Sequence, residues 1–303
     1  MNDAKTVREI RINPTMPSES VLVASARGLR PRQEEERIPH DTRAHVETCP
    51  FCKGNEDKTP PTITALPDDE NWNIRIVQNL FPVLGTESDQ SNISFGMQQV
   101  MDGYGHHEVI IDHHKHGMEI HEMSHEHLEM LVGIYRSRME ELYSADDRIK
   151  YVLVFKNFDS AAGASIKHTH SQLIAMPIVP ENVYNEVLSS QNYFRKYHQC
   201  VFCSLIDEAL TFEATIYNRE SGEVRRKIDV GQYVVERGER FIAIKPFASR
   251  YEWEVHILPL EHKSNFTEIT PEEIADFAKV LKRTMQRLDK VLGGAQYNYY
   301  FHT

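Results

Sequence analysis

His168-Thr169-His170-Ser171-Gln172-Leu173-Ile174-Ala175-Met176 is a polar segment that runs into an apolar one and stops at Pro177. In a β-strand the side chains alternate between faces, so this reading puts residues 168, 170 and 172 on one side. Two imidazoles and an amide then line one patch. A loop of small residues, Ser160-Ala161-Ala162-Gly163-Ala164-Ser165, comes just before it. Small residues let backbone N–H groups approach an anion closely, and Gly163 is the least hindered of them. The Gln172 amide has hydrogens to give to a phosphoryl oxygen. An imidazole is a competent nucleophile toward phosphorus at neutral pH, because much of it is uncharged. It needs its other ring nitrogen held as a donor, so that the free lone pair faces the substrate. His170 as nucleophile and Gln172 as donor therefore describe transfer of a nucleotidyl group through a phospho-histidine. The alternative is that His168 and His170 form a metal pair on a strand, a reading that suits His168 better than His170.

Outward from this segment the chain reads as α+β. Tyr151-Val152-Leu153-Val154-Phe155 is an apolar run typical of a central strand. Ile74–Asn79 and Glu108–Ile111 are further strands. A helix is expected from about Ser124 to Tyr143. Its polar character assigns His121, His125 and His127 to solvent. The order then repeats. Strands over Gln232–Glu236, Phe241–Lys245 and Trp253–Pro259 precede His262, a helix over Pro271–Leu292 and an aromatic strand at Tyr297–His302. Cys52 to His116 is 64 residues and Cys203 to His262 is 59; His116 to Asn157 is 41 and His262 to Asn298 is 36. This spacing predicts an internal duplication, with halves at 1–190 and 191–303. A second counterpart of His168–Gln172 would fall near residue 309, beyond Thr303, so the spacing suggests a truncated chain.

The four cysteines form two pairs, Cys49-Pro50-Phe51-Cys52 and Cys200-Val201-Phe202-Cys203. Neither begins a βαβ unit, which weakens a redox reading; each supplies half of a tetrahedral metal site. Of 16 histidines, ten lie between His106 and His170. Those of chemical interest are His106, His107, His113, His114, His116, His168 and His170. The chain has 303 residues and a net charge of −11, which disfavours a nucleic-acid binder. One small basic turn, Arg27-Gly28-Leu29-Arg30-Pro31-Arg32, stands out as a candidate phosphate contact. No apolar run approaches the ~18 residues of a membrane span, and no secretory signal follows Met1. Few cysteines and no signal predict a reducing, cytoplasmic setting.

His-x-His-x-Gln resembles the signature of the histidine-triad superfamily. The wider set is similar to the galactose-1-phosphate uridylyltransferase branch: Arg11-Ile12-Asn13-Pro14, Val21-Leu22-Val23, Arg27 through Pro31, Cys49 through Glu56, Val77 through Pro82, Gly105 through Val109, and Phe155 through Gln172. The resemblance covers nearly the whole chain. It implies duplicated histidine-triad-like units, with antiparallel sheets flanked by helices, usually as a homodimer. It implies ping-pong uridylyl transfer from UDP-glucose to a hexose 1-phosphate, here with His170 as nucleophile. Gln172 would steady the phosphoryl group, Ser165 contact a phosphate, Asn79 and Asn157 hold the nucleotide, and Arg27 and Arg30 contact phosphates. Matching without gaps from Val109 to Ile120 assigns a zinc ion to Cys49, Cys52, His116 and His168.

Two departures point to the ADP-glucose phosphorylase-like branch. Thr169 replaces a proline, and the second Cys-x-x-Cys implies a second zinc held by Cys200, Cys203 and His262 with one further histidine. One or two zinc ions per chain are therefore expected, with a nucleoside-diphosphate sugar and a hexose 1-phosphate as partners and neither nucleic acid nor membrane. The alternatives are an ADP-sugar or dinucleoside-polyphosphate phosphorylase and, in a different class, a non-catalytic nucleotide-binding protein.

Overall fold

The apolar run at Tyr151 becomes the second strand of a six-stranded antiparallel sheet in the computed structural model, which describes residues 8–24, 41–87, 92–294 and 296–302. In chain order the elements are β1 (Arg8–Ile12), β2 (Ser20–Ala24), β3 (Thr62–Leu66), β4 (Ile74–Gln78), β5 (Asn92–Phe95), β6 (Gln98–Met101), β7 (His106–Ile111), α1 (His125–Ala145), β8 (Tyr151–Phe158) and β9 (His170–Met176). There follow α2 (Glu181–Tyr197), α3 (Val201–Thr211), β10 (Glu213–Tyr217), β11 (Val224–Asp229), β12 (Val234–Arg237), β13 (Phe241–Ile244), β14 (His256–Pro259), α4 (Pro271–Leu292) and β15 (Tyr297–Tyr300). The α+β class with antiparallel sheets and flanking helices is what the sequence predicts.

The described residues fall into two compact units. One takes those up to 37, 181–262 and 279–284; the other takes 38–180, 263–278 and 285–303. This division is discontinuous along the chain, unlike the boundary near 190 that the repeat spacing suggests. The first unit holds the hairpins β1–β2 and β10–β11, helices α2 and α3, and the sheet β12-β13-β14. Helices α2 and α3 were not foreseen from the sequence pattern.

The second unit holds the large sheet, ordered β15-β8-β9-β7-β4-β3. Its central strands supply the core: Ile74, Ile76, Ile110, Ile111, Val152, Val154, Leu173 and Ala175 are all fully or almost fully buried. Helix α1 starts where Ser124 accepts the His127 backbone N–H at 3.1 Å, an N-cap that satisfies one of the first-turn donors. The helix buries Leu128, Leu131, Val132, Tyr135 and Met139. The expectation of a solvated His127 fails. Its ring is buried, and its Nε2 lies 2.6 Å from the Asp112 carbonyl, because the helix turns this residue toward the sheet. Arg138 of α1 donates to both carboxylate oxygens of Glu108 on β7, at 2.8 and 2.6 Å, which anchors helix to sheet.

Strand β15 joins the sheet at its edge, antiparallel to β8, with Asn298 opposite Asn157. Those are the two residues that the repeat spacing equates.

Gly105 precedes β7 with φ +148°, and a Cβ there would lie 2.1 Å from the Ala175 carbonyl oxygen. Only glycine allows this approach. Gly105→Ala is expected to cost ~3 kcal/mol and to lower the thermal midpoint by several degrees. An unchanged midpoint in a melting experiment would contradict this account of the turn.

Candidate active site

The segment that opens the sequence argument is a strand only from His170 onward; His168 and Thr169 lie just before it. Register places His170 opposite Ile111 and Gln172 opposite Val109, with Phe155 on the other side of Gln172. His168 and His170 are both buried, and their rings have different tasks.

His168 turns into a cluster of sulfur and nitrogen atoms. Its Nε2–H donates to the His113 carbonyl at 2.7 Å, which leaves Nδ1 facing Cys49 Sγ at 3.7 Å and Cys52 Sγ at 3.5 Å. His116 Nδ1 lies 3.4 Å from Cys52 Sγ, and its Nε2 lies 3.4 Å from the Asp41 carboxylate. A tetrahedral centre with metal–sulfur bonds of ~2.3 Å and metal–nitrogen bonds of ~2.0 Å has sulfur–nitrogen edges of about 3.5 Å. The measured separations match those edges, and all four ligand atoms lie within 4.8 Å of one another. The four residues thus form a buried Cys2His2 cluster suited to a metal ion. The choice of His116 over His113 and His114 agrees with this geometry.

The surroundings support the same reading. Burial pulls the His168 imidazole down to about 3 and pushes the Cys49 thiol up to about 11. Neutral imidazole is the ligand form, and a bound cation is what would deprotonate so buried a thiol. The Asn55 amide donates to the Cys49 carbonyl at 2.8 Å and closes the turn between the cysteines. Trp72, Val77, Val109 and Ile111 pack around the pair. Asp41 and the His113 carbonyl orient the two imidazoles from behind, in the manner of outer partners at metal sites. The sequence held no signal for either.

His170 turns away from the sulfurs. Its Nδ1–H donates to the His168 carbonyl at 2.7 Å, and among the described residues no hydrogen bond occupies Nε2. Burial, followed by the Lys156 charge, lowers its pKa and keeps the ring neutral. The Phe51 ring meets it edge-on, with centroids 5.2 Å apart. One imidazole nitrogen is therefore held as a donor and the other carries an uncommitted lone pair.

Of the other residues singled out, Asn79 and Gln172 meet at the ring of His107. Asn157 accepts from the Asn298 amide at 2.7 Å, so β15 braces a residue of the candidate site. Gly163 takes a left-handed conformation (φ +94°) at the end of a short turn, with its Cα side facing the Asn157 amide. Ser165 is exposed on the same loop. Arg27 and Arg30 lie outside the described residues. In the other unit, Cys200, Cys203 and His262 come together, with Cys203 Sγ 3.4 Å from His262 Nδ1. Cys200 is the N-cap of α3, so this pair opens a helix, whereas the first pair lies in turns.

Residues 1–180 match the family described as galactose-1-phosphate uridyl transferase, N-terminal domain. The chain is 28% identical over 298 residues to the ADP-glucose phosphorylase of Arabidopsis thaliana, covering 97% of this chain and 78% of the relative. It is 28% identical over 284 residues to a galactose-1-phosphate uridylyltransferase of Thermotoga maritima, covering 93% and 76%. The solved structure of an Arabidopsis thaliana ADP-glucose phosphorylase with bound ADP-glucose superposes with a TM-score of 0.77 at 26% identity, covering 98% of this chain and 82% of that one.

Freshly purified protein is expected to carry about one metal ion per cysteine pair. Cys49→Ala should remove one equivalent and lower the melting temperature by several degrees, since the pair sits inside a buried cluster. Elemental analysis that finds no bound metal in the wild type would overturn the assignment.

Proposed function

Because the chain belongs to the galactose-1-phosphate uridyl transferase family, we propose that it transfers a nucleotidyl group from a nucleoside-diphosphate sugar to a phosphate acceptor through a nucleotidyl-His170 intermediate. The observation that carries this is the 2.7 Å hydrogen bond from His170 Nδ1–H to the His168 carbonyl, which commits the opposite nitrogen to attack. In the first step His170 Nε2 bonds to the α-phosphorus. The bond from that phosphorus to the bridging oxygen breaks, and sugar 1-phosphate leaves with the electron pair. The imidazolium so formed is stabilised by its bond to the carbonyl. In the second step a phosphate oxygen of the acceptor attacks the same phosphorus, and His170 is released. Gln172 donates to the phosphoryl oxygens, while Asn79, Asn157, Gly163, Ser165, Arg27 and Arg30 hold nucleotide and phosphates.

Zinc would supply structural support: Cys49, Cys52, His116 and His168 offer the four ligands of one ion, and Cys200, Cys203 and His262 would hold a second together with one further histidine. The first ion would fix the segment that presents His170 two residues later.

The family name carries uridyl transfer and galactose 1-phosphate, and the first reading takes UDP-glucose as donor and a hexose 1-phosphate as acceptor. A second reading, an ADP-sugar donor with inorganic phosphate as acceptor, is favoured by the similarity to ADP-glucose phosphorylase over 97% of the chain. Thr169 and the second cysteine pair favour it as well. Incubation with UDP-glucose or ADP-glucose, then with galactose 1-phosphate or inorganic phosphate, separates the two by the product released.

Mass spectrometry of the quenched protein should find one nucleotidyl group on His170. His170→Ala should form no adduct and lose at least ~1000-fold in turnover with an unchanged circular dichroism spectrum. Wild-type turnover in that variant would refute the nucleophile. The lowered His170 pKa also sets a pH profile. The reactive neutral ring is lost only as pH falls through the lowered value, below the ordinary 6.5. Single-turnover adduct formation should therefore stay level from pH 8 to about 6.5 and decline only under that.

A further inference from the structure

His107 lies between two amides of the candidate site. It is buried, and both of its ring nitrogens are engaged. The Val83 backbone N–H points at Nδ1 from 3.1 Å. A backbone N–H can only donate, so Nδ1 must be the acceptor and the neutral ring carries its proton on Nε2. That proton faces Gln172 Oε1 at 2.9 Å. The Gln172 amide has two orientations of similar shape and opposite chemistry, one presenting its NH2 group outward and the other its oxygen. A donor at His107 Nε2 selects the first. The consequence extends to Asn79. Its Oδ1 accepts from the Phe81 N–H at 2.9 Å, which turns its amino group toward the same Nε2 at 3.1 Å. Two donors facing each other do not bond, so that amino group is set to give its hydrogens to an incoming acceptor.

We propose that His107 is a positioning residue that holds the Gln172 NH2 group toward the transferring phosphoryl oxygens and leaves the Asn79 amino group available to the same ligand. This deepens the reading of nucleotidyl transfer at His170 and rests on it for the catalytic consequence. The reversed Gln172 amide would aim an oxygen at an anionic phosphoryl group, which repels it. The chain runs from the Val83 peptide through one imidazole to the donor that meets the transition state. All of its links lie on the segment after β4, on β7 and on β9, inside one unit.

The test uses the full chain with its bound metal. His107→Asn keeps an acceptor for the Val83 N–H but removes the donor at the Nε2 position; His107→Gln keeps that donor. In single-turnover adduct formation His107→Asn should lose about 10–100-fold in rate with little change in substrate affinity, less than complete removal of a phosphoryl donor costs. His107→Gln should stay within about fivefold of the wild type. In a Gln172→Ala background, adding His107→Asn should change the rate by less than about twofold, because the group it orients is gone. Multiplicative losses in that double variant would overturn the proposal and make His107 a structural residue. Nitrogen-15 histidine spectra need no substrate and should show a neutral ring protonated at Nε2, assigned by its disappearance in His107→Asn. A ring protonated at Nδ1 or on both nitrogens overturns the chain even if adducts form. A wild type that forms no adduct with UDP-glucose or ADP-glucose instead overturns the proposed reaction, and the catalytic consequence drawn here with it. The spectra still decide the orientation of the ring.

Discussion

A single ammonium group under the central sheet holds the candidate site in register. Lys156 is wholly buried, and its three hydrogens are matched by three acceptors: the Asp112 carboxylate at 2.6 Å, the Thr169 hydroxyl at 2.7 Å and the His170 carbonyl at 3.1 Å. A buried charge is tolerable only when it is paired and every proton is placed. The requirement is met by three different parts of the fold: β8, the turn after β7 and the start of β9. Asp112 is shared in turn with Ser171 and Tyr135, at 3.0 and 3.3 Å, and Tyr135 reaches Tyr299 of β15 at 3.0 Å. The network is satisfied only when all these strands are in place. Removing one member of such a pair leaves the other uncompensated, at a cost of ~3–5 kcal/mol.

This arrangement lets one short segment do two jobs. Thr169 and Ser171 face the ion pair, which frees His168, His170 and Gln172 for the other side. His168 closes the metal cluster with its side chain and holds the His170 ring with its carbonyl. His170, the proposed nucleophile, thus stands two residues along the chain from His168 of the Cys2His2 cluster. Phe51, inside the cysteine turn, also meets the His170 ring edge-on.

Much of this was legible in the chain itself. The apolar run at Tyr151 is a strand because a central strand is apolar on both faces, and Ile74–Gln78 shows the alternation of a strand. Two Cys-x-x-Cys pairs and an alternating His-x-His carry their chemistry in their spacing. Other features left no such trace. His107 reads as one histidine among ten in its region, and its meaning depends on a peptide N–H 24 residues away in the chain. Polar composition made α1 look solvated, yet the buried His127 and Tyr135 have partners for their polar atoms in the turn after β7 and on β9. Helix α3 opens at Cys200 without a side-chain cap hydrogen bond, so its start carries no local signal.

The sequence by itself determined the donor sets, the alternation that separates His170 from its neighbours, and the α+β order of the elements. These are local properties, set by residue type and by spacings of two to four residues. Only the tertiary structure decided which groups orient the two cluster imidazoles from behind and which ring nitrogen of His170 is left uncommitted. It alone decided that β15 lies beside β8, with Asn298 bracing Asn157. The physical reason is that a hydrogen bond or a ligand edge is specified to a few tenths of an ångström between atoms from distant segments. No local pattern encodes such a distance until the sheet has brought those segments together.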